Sequence, residues 1–220
     1  TLKFLMVAGI PKGPRIAGFT CSGGGATMLA DYGEKIGLDF AQPSEKARGK
    51  LQNLLPHTAT VSNPLDYTTP IWGNRERVPP VFNALLNDAY DAAVIVQDYP
   101  AAGLDDAKEF YLNDAMSFVE EVTAADVPGA VCATLPENID ADTRSFLVER
   151  GVAPMQGLQE TLDAIGAAAW LGQRWAEIER SAPFSPLSVP VASGASVMDE
   201  ATGKELLRSA GVAVPEGLVC

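Results

Sequence analysis

The chain has 220 residues, 47% of them hydrophobic, and carries 16 Lys and Arg against 28 Asp and Glu, for a net charge of −12. This acidic balance argues against a broad nucleic-acid surface, because phosphate backbones are bound by clustered Lys and Arg. No apolar run of about 18 residues and no basic leader with an apolar core is present, so neither a membrane span nor a signal peptide is predicted. Three widely spaced Cys and one His disfavour a disulfide framework, a metal site and a Ser–His–Asp triad. We therefore expect a cytoplasmic protein with no metal and no nucleic-acid or membrane partner.

The clearest motif lies at residues 15–37. An apolar run at 16–20 leads into Cys21 and Ser22, then three consecutive glycines, and the residues behind them (Ala26, Leu29, Ala30, Gly33) follow the spacing of one helix face. This pattern predicts a strand, a glycine turn and a helix ending at Gly37. Open backbone N–H groups and the helix dipole would make the turn an anion site, most plausibly for phosphate. Because neither a dinucleotide fingerprint nor a Walker A loop is present, a turn whose glycines serve only packing stays equally open.

The rest of the chain alternates between strand and helix patterns. Residues 2–8 resemble a helix end closed by Gly9. Further strands are predicted at 38–40, 92–96, 129–134 and 152–155. Helices are predicted at 43–55, 75–89, 104–125, 140–151 and 157–178, with Ser44 and either Asp140 or Asp142 as N-caps. Residues 63–70 are rich in Pro and turn residues, and we expect no regular structure there.

This alternation predicts an α/β fold, a flavodoxin-like doubly wound parallel sheet over residues 15–180. Residues 1–14 are expected to be the end of a preceding helix and a connector, and the Pro- and Ser-rich residues 181–197 a linker. Residues 198–220 read as a capped helix stopped at Gly211 and a new strand, the beginning of a second, truncated domain. Since the chain lacks an initial Met and ends within that strand, we expect it to be a piece of a larger protein.

Three segments carry a family resemblance: residues 20–31 (Thr-Cys-Ser-Gly-Gly-Gly-Ala-Thr-Met-Leu-Ala-Asp), residues 54–68 with Asn-Pro-Leu-Asp at 63–66, and residues 133–138 (Ala-Thr-Leu-Pro-Glu-Asn). In this order they resemble the NDP-forming acyl-CoA synthetases, the superfamily of ADP-forming acetate–CoA ligase and succinyl-CoA synthetase. The tail at 198–217 resembles the start of that family's ATP-grasp domain. The first segment implies a succinyl-CoA synthetase-like domain.

The resemblance implies part of an acid–CoA ligase, in which acid, CoA and ATP or another NTP give acyl-CoA, NDP and phosphate. The acid is activated as an acyl phosphate, and the phosphoryl group passes to a histidine on a mobile loop. The parent enzyme would use CoA, ATP and Mg²⁺, whereas this fragment is expected to bind no cofactor and to be inactive alone. Its partners would be the CoA-binding and ATP-grasp domains or subunits of the same synthetase, with a homo-oligomer also possible in principle.

The resemblance also assigns site residues. The turn and helix start would face the phosphohistidine through Ser22, Gly23, Gly24, Gly25 and Ala26. Asn63 and Asp66 would support the phosphate rim, although an Asx-turn before Pro64 explains them equally well. Glu137 and Asn138 are rim candidates at the ligand edge, with helix capping as the alternative for Asn138. The catalytic histidine is expected outside this chain, because His57 lies outside the family's His-Thr-Gly loop.

Two further readings stay open at this stage. The chain could instead be a non-catalytic flavodoxin-like regulatory or ligand-binding module, since such domains also serve as receivers and FMN carriers. Cys21 abuts the predicted helix start, where a thiolate is favoured, but a buried packing role is the preferred interpretation.

Overall fold

The computed structural model describes residues 1–100, 107–181 and 197–217. The chain divides into two compact units, Thr1–Ala182 and Pro183–Cys220. Most of the predicted linker, residues 182–196, and the predicted start of the helix at 104 lie outside the described residues. The expected domain boundaries therefore stay a prediction.

The first unit contains seven α-helices and five strands among its described residues. The helices are α1 (Leu2–Val7), α2 (Gly23–Ile36), α3 (Glu45–Leu54), α4 (Val78–Leu86), α5 (Lys108–Ala124), α6 (Ala141–Val148) and α7 (Leu158–Arg180). The strands are β1 (Ile16–Thr20), β2 (Leu65–Asp66), β3 (Ala92–Val96), β4 (Gly129–Ala133) and β5 (Val152–Gln156). Short 3₁₀ turns occupy Thr69–Ile71 and Pro136–Asn138.

All five strands pair in parallel in the order β2-β1-β3-β4-β5. This is the flavodoxin-like order, in which the chain reverses direction across the sheet next to β1. The predicted α/β doubly wound fold is confirmed. Parallel strands place all their carboxyl ends at one edge, so the residues directly after β1 and those directly after β3 (97–100) lie at the topological switch point.

The second strand is not where the sequence pattern predicts it. Residues 38–40 form only a single bridge, between Asp39 and Arg15. The second strand in the chain is instead Leu65–Asp66, which pairs with β1 on the side opposite β3 and lies within the segment expected to be irregular. The pairing continues one residue further, since the Tyr67 N–H donates to the Thr20 carbonyl over 2.9 Å. A two-residue strand is too short to show any periodicity, so the sequence carries no signal for it.

The sheet is buried on both faces. On one face, aromatic side chains from β1, α4 and α5 pack together, with ring centroids 4.7 Å apart for Phe19 and Phe82 and 6.0 Å for Phe19 and Phe118. On the other face, Ile16 and Leu29 pack with Leu162 and Ile165 of α7. Burial on both sides explains why β1, β3 and β4 are continuous apolar runs rather than alternating ones.

The predicted helix caps are confirmed. Ser44 accepts a hydrogen bond from the Ala47 amide at the start of α3, and Asp140 caps α6 by accepting from the Thr143 amide. Gly37 ends α2 in the left-handed conformation, at φ 75°, which glycine adopts without a steric penalty.

The second unit is described over residues 197–217 only. It holds one helix, α8 (Glu200–Ser209), capped by Asp199, and Gly211 follows the helix at φ 79°. The described part of the predicted strand, residues 212–217, has no strand structure. A strand needs a hydrogen-bonded partner, and the described part of this unit offers none. Whether this unit begins an ATP-grasp domain stays a prediction.

Candidate functional site

The glycine turn lies at the carboxyl end of β1, and Ser22 is the N-cap of α2. The Ser22 hydroxyl accepts from the Gly25 amide (3.3 Å), and the Ser22 carbonyl accepts from the Ala26 amide (3.1 Å). The amides of Gly23 and Gly24 have no acceptor among the described residues, and both glycines are exposed. Two donors are thus open to solvent at the positive end of a 14-residue helix dipole.

The three glycines serve different purposes. A β-carbon at the buried Gly25 would lie 2.5 Å from the Thr20 hydroxyl oxygen, so packing alone requires a glycine there. At Gly23 and Gly24 the built β-carbons meet only Asp66 Oδ2 at 3.7 Å and Ser22 Oγ at 3.6 Å, which are ordinary contacts. Packing therefore explains Gly25 but not its two exposed neighbours.

Asp66 lies beside this turn, and its supporting role stays a prediction. Besides its approach to Gly23, its Oδ1 accepts from the Thr68 amide at 2.9 Å. This local bond orients the carboxylate at the end of β2, next to the helix start, where negative charge is favoured.

Asn63 is placed differently, in the protein interior. Asn63 is only 2% exposed. Its Nδ2 donates to the carbonyls of Ile16 (2.8 Å) and Ala41 (3.0 Å). Its Oδ1 accepts from the Gly18 amide (2.9 Å). The amide is therefore fully occupied in tying the β2 segment to the middle of β1. None of these described hydrogen bonds reaches the glycine turn, and none of them forms an Asx-turn.

Asn138 belongs to a second cluster, at the ends of β3 and β4. Asp98 accepts from the Thr134 amide and hydroxyl, each at 2.8 Å, and from Asn138 Nδ2 at 3.0 Å. Glu137 is exposed beside it. Asn138 does not cap α6, which Asp140 does. Within the described residues, no hydrogen bond or ion pair joins this cluster to the glycine turn.

A buried carboxylate that the sequence analysis does not single out bonds to the segment that follows β2. Asp114 on α5 is 0% exposed; its Oδ2 accepts from the Tyr67 hydroxyl (2.7 Å) and its Oδ1 from the Gly73 amide (2.8 Å). Burial raises the pKa of Asp114 to about 6, against the opposing effect of these two donors and of Arg75. One signal could have indicated it: Asp114 occupies the same helix face as the apolar Phe118 and Val122.

Cys21 is half-buried at the end of β1. Burial, with lesser contributions from the Asp114 and Asp66 carboxylates, raises the pKa of its thiol to about 11. This agrees with a packing role, because a reactive cysteine needs a lowered pKa.

We predict slow alkylation of Cys21 in the folded protein. At pH 8 a pKa of about 11 leaves roughly one thiol in a thousand ionised, against roughly one in ten at the ordinary pKa of 9.0. Iodoacetamide labelling, followed by peptide mass spectrometry, should therefore be about 100-fold slower than in urea-unfolded chain. The folded rate should keep rising up to about pH 11, whereas the unfolded rate levels off near pH 9. Equal rates at pH 8 would contradict the packing assignment.

Neither a membrane-spanning helix nor a metal-binding cluster is found in the described part of the chain. No helix in that part of the chain is both long and apolar enough to span a bilayer. No group of three or more His, Cys, Asp and Glu side chains there is arranged to hold a metal ion.

Comparison with known sequences gives one informative relative. No protein-family model matches the chain. Over 57 residues it is 42% identical to the alpha subunit of acetate–CoA ligase [ADP-forming] II of Pyrococcus furiosus. That stretch is 26% of this chain and 12% of the relative, so the match spans about an eighth of the curated protein's length.

Comparison with solved structures extends over most of the first unit. A crystal structure of a Pyrococcus horikoshii OT3 protein superimposes with a TM-score of 0.62 at 21% identity, covering 80% of this chain and 40% of that one. The apo form of a dinucleotide forming acetyl-coenzyme A synthetase 1 of Ca. Korarchaeum cryptofilum gives 0.60 at 21% identity, covering 82% and 38%. The complex of the latter protein with phosphate and ADP gives 0.58.

At this level of identity the structures establish a shared fold, and the sequence relative adds a shared segment. The resemblance of this chain to the NDP-forming acyl-CoA synthetases, which its motifs predicted, is thus confirmed in sequence over about a quarter of its length and in fold over about four fifths.

Proposed function

We propose that this chain is a segment of an NDP-forming acyl-CoA synthetase, and that its glycine turn faces a phosphohistidine supplied by another part of the protein. The observation that carries the proposal is the pair of open amides at Gly23 and Gly24. They are exposed at the carboxyl edge of the sheet, where ligands bind in open α/β folds, and packing does not account for the glycines that carry them.

The chemistry of such a site would come from the backbone. No Lys or Arg side chain is present in residues 20–31, so a phosphoryl group there would be held by fixed N–H donors and the helix dipole. Donors that are already oriented before the phosphate arrives need no reorganisation during transfer. Ser22 fixes the first helical turn, and Asp66 orders the neighbouring loop through its bond to the Thr68 amide.

The remaining requirements would be met elsewhere in the parent enzyme. CoA, ATP and Mg²⁺ would bind to its other domains or subunits, and the acid would be converted to acyl-CoA with release of ADP and phosphate. One structural relative, the dinucleotide forming acetyl-coenzyme A synthetase 1, has been solved in complex with phosphate and ADP, and these are ligands of the proposed reaction. We expect the parent enzyme in the cytoplasm.

The full-length protein that carries this chain tests the proposal. Incubated with a panel of short carboxylic acids, CoA and ATP, it should release ADP only when both acid and CoA are present, and a phosphohistidine should be detectable upstream of residue 1. A protein that shows neither, and that purifies with a yellow flavin chromophore, would instead be the flavodoxin-like binding module.

We also predict that His57 is not the phosphorylated residue. It is exposed in the loop after α3, and no hydrogen bond joins it to the glycine turn within the described residues. The 220-residue chain incubated with ATP and Mg²⁺ should therefore show no phosphohistidine by mass spectrometry under neutral conditions. The His57→Gln variant provides the baseline, and a phosphoryl group on His57 above it would contradict the proposal.

A further inference from the structure

The buried carboxylate of Asp114 has no part in the chemistry proposed above. It bonds α5 to the chain that follows β2, through the Tyr67 hydroxyl at 2.7 Å and the Gly73 amide at 2.8 Å. Both partners lie in the stretch that connects β2 to α4, so one carboxylate holds both ends of a seven-residue segment.

Tyr67 carries this anchorage to the glycine turn. Its amide donates to the carbonyl of Thr20, the last residue of β1, over 2.9 Å. The Thr20 hydroxyl in turn accepts from the Ser22 amide at 3.3 Å and lies directly against Gly25. Contacts therefore link Asp114 on α5, through Tyr67, to Thr20, which bonds to Ser22 and packs against Gly25.

A carboxylate is a costly way to hold this position. Removing a charge from water costs several kcal/mol, and buried ionic groups can often be replaced by apolar ones without loss of stability. The titratable and charged groups that face Asp114 are Tyr67, Tyr99 and Cys21, which are neutral near pH 7, and Arg75. Its two donors and Arg75 are the groups that offset this burial, and both donors lie on the segment that follows β2, so the carboxylate is suited to orienting that segment.

We propose that Asp114 is a positioning residue for the glycine turn, acting through Tyr67 and Thr20 on the amides of residues 22–25. The proposal rests on the proposed function for what those amides bind, but their placement can be measured independently. It predicts that losing the Asp114–Tyr67 bond loosens the turn specifically, beyond any general loss of stability.

The test compares variants of the full-length protein. Asp114→Ala and Tyr67→Phe each remove the bond, and Tyr67→Phe deletes a single oxygen, so it keeps the test open if Asp114→Ala does not fold. Asp114→Asn should restore function, since its amide oxygen can accept from Gly73 and its NH₂ can donate to the tyrosine oxygen. Thr161→Val is the matched control, because it deletes a buried hydroxyl bond to the Gly157 carbonyl (2.6 Å) on the other face of the sheet.

Hydrogen–deuterium exchange of the peptide covering residues 20–30 is the first readout. We expect it to be at least tenfold faster in Asp114→Ala and Tyr67→Phe than in wild type, and unchanged in Asp114→Asn and Thr161→Val. The second readout is phosphoryl transfer, whose kcat should fall about tenfold in the first two variants while the KM for CoA stays constant.

The outcomes separate the two proposals. If exchange of residues 20–30 is no faster in Asp114→Ala and Tyr67→Phe than in a Thr161→Val protein of similar Tm, Asp114 does not position the turn. If exchange accelerates but transfer proceeds at the wild-type rate, the positioning role is upheld and the proposed function of the turn is wrong.

Discussion

Replacing Asn63 with aspartate is expected to destabilise the first unit by about 3–5 kcal/mol, the range for an uncompensated buried charge. The new carboxylate oxygen would face the carbonyls of Ile16 and Ala41, which now accept from the Asn63 NH₂ over 2.8 and 3.0 Å. Two donated hydrogen bonds would become two repulsive contacts, in a site where the side chain is 2% exposed. The variant should therefore unfold at a much lower urea concentration than wild type.

Urea unfolding followed by circular dichroism measures this loss, and Asn87→Asp is the control. It makes the same chemical change on an exposed side chain, whose Nδ2 bonds only to the Asn83 carbonyl at 3.0 Å. Its cost should stay below about 1 kcal/mol, the size of an unfavourable charge at a helix end. An Asn63→Asp protein as stable as Asn87→Asp would show that the buried amide does not hold β2 to β1.

Replacing Gly24 with valine is expected to reduce phosphoryl transfer by the parent enzyme at least about 100-fold, because a side chain that keeps the phosphoryl group from an amide should cost about as much as losing that donor. The isopropyl group would project from the first turn of α2 over the open amides that the proposal assigns to phosphate. Stability should change little, because only Ser22 Oγ, at 3.6 Å, lies within 4 Å of the built β-carbon. CoA binding should be unaffected.

Single-turnover assays of phosphohistidine formation and decay measure this effect, and thermal unfolding checks the fold. Gly49→Val is the matched control, since Gly49 is also a helical glycine with open space around its β-carbon, but it lies on α3. Wild-type transfer in Gly24→Val, with Gly49→Val equally active, would refute the role assigned to the turn.

Much of the fold follows from local sequence patterns. The continuous apolar runs at β1, β3, β4 and β5 identify strands buried on both faces. The intervening helices carry caps that the sequence indicates, Ser44 for one and either Asp140 or Asp142 for another. Their alternation is sufficient to specify a doubly wound parallel sheet. The glycine turn was located by the same reasoning, from the run that precedes it and the helix face that follows.

The features that were missed depend on contacts between distant segments. Strand β2 has two residues and exists because Asn63, Leu65 and Tyr67 bond to β1, which no local pattern reveals. The position of Asp114 on an apolar helix face indicates its burial, but its partners lie 47 and 41 residues away in sequence and follow from no local pattern. The Asn-Pro-Leu-Asp motif points to the region around Asn63, but it does not show which way the side chain points, and the bonds of that amide to Ile16 and Gly18 come only from the fold.

The close approach of Gly25 to Thr20 also restricts how related sequences can vary. A β-carbon at position 25 would lie 2.5 Å from the Thr20 hydroxyl oxygen, whereas removal of that hydroxyl would deprive the Ser22 amide of its acceptor. A threonine at position 20 is thus compatible with a glycine at position 25 but not with a larger residue there. The two positions should therefore covary, so that natural chains with alanine at position 25 carry a residue without a hydroxyl at position 20.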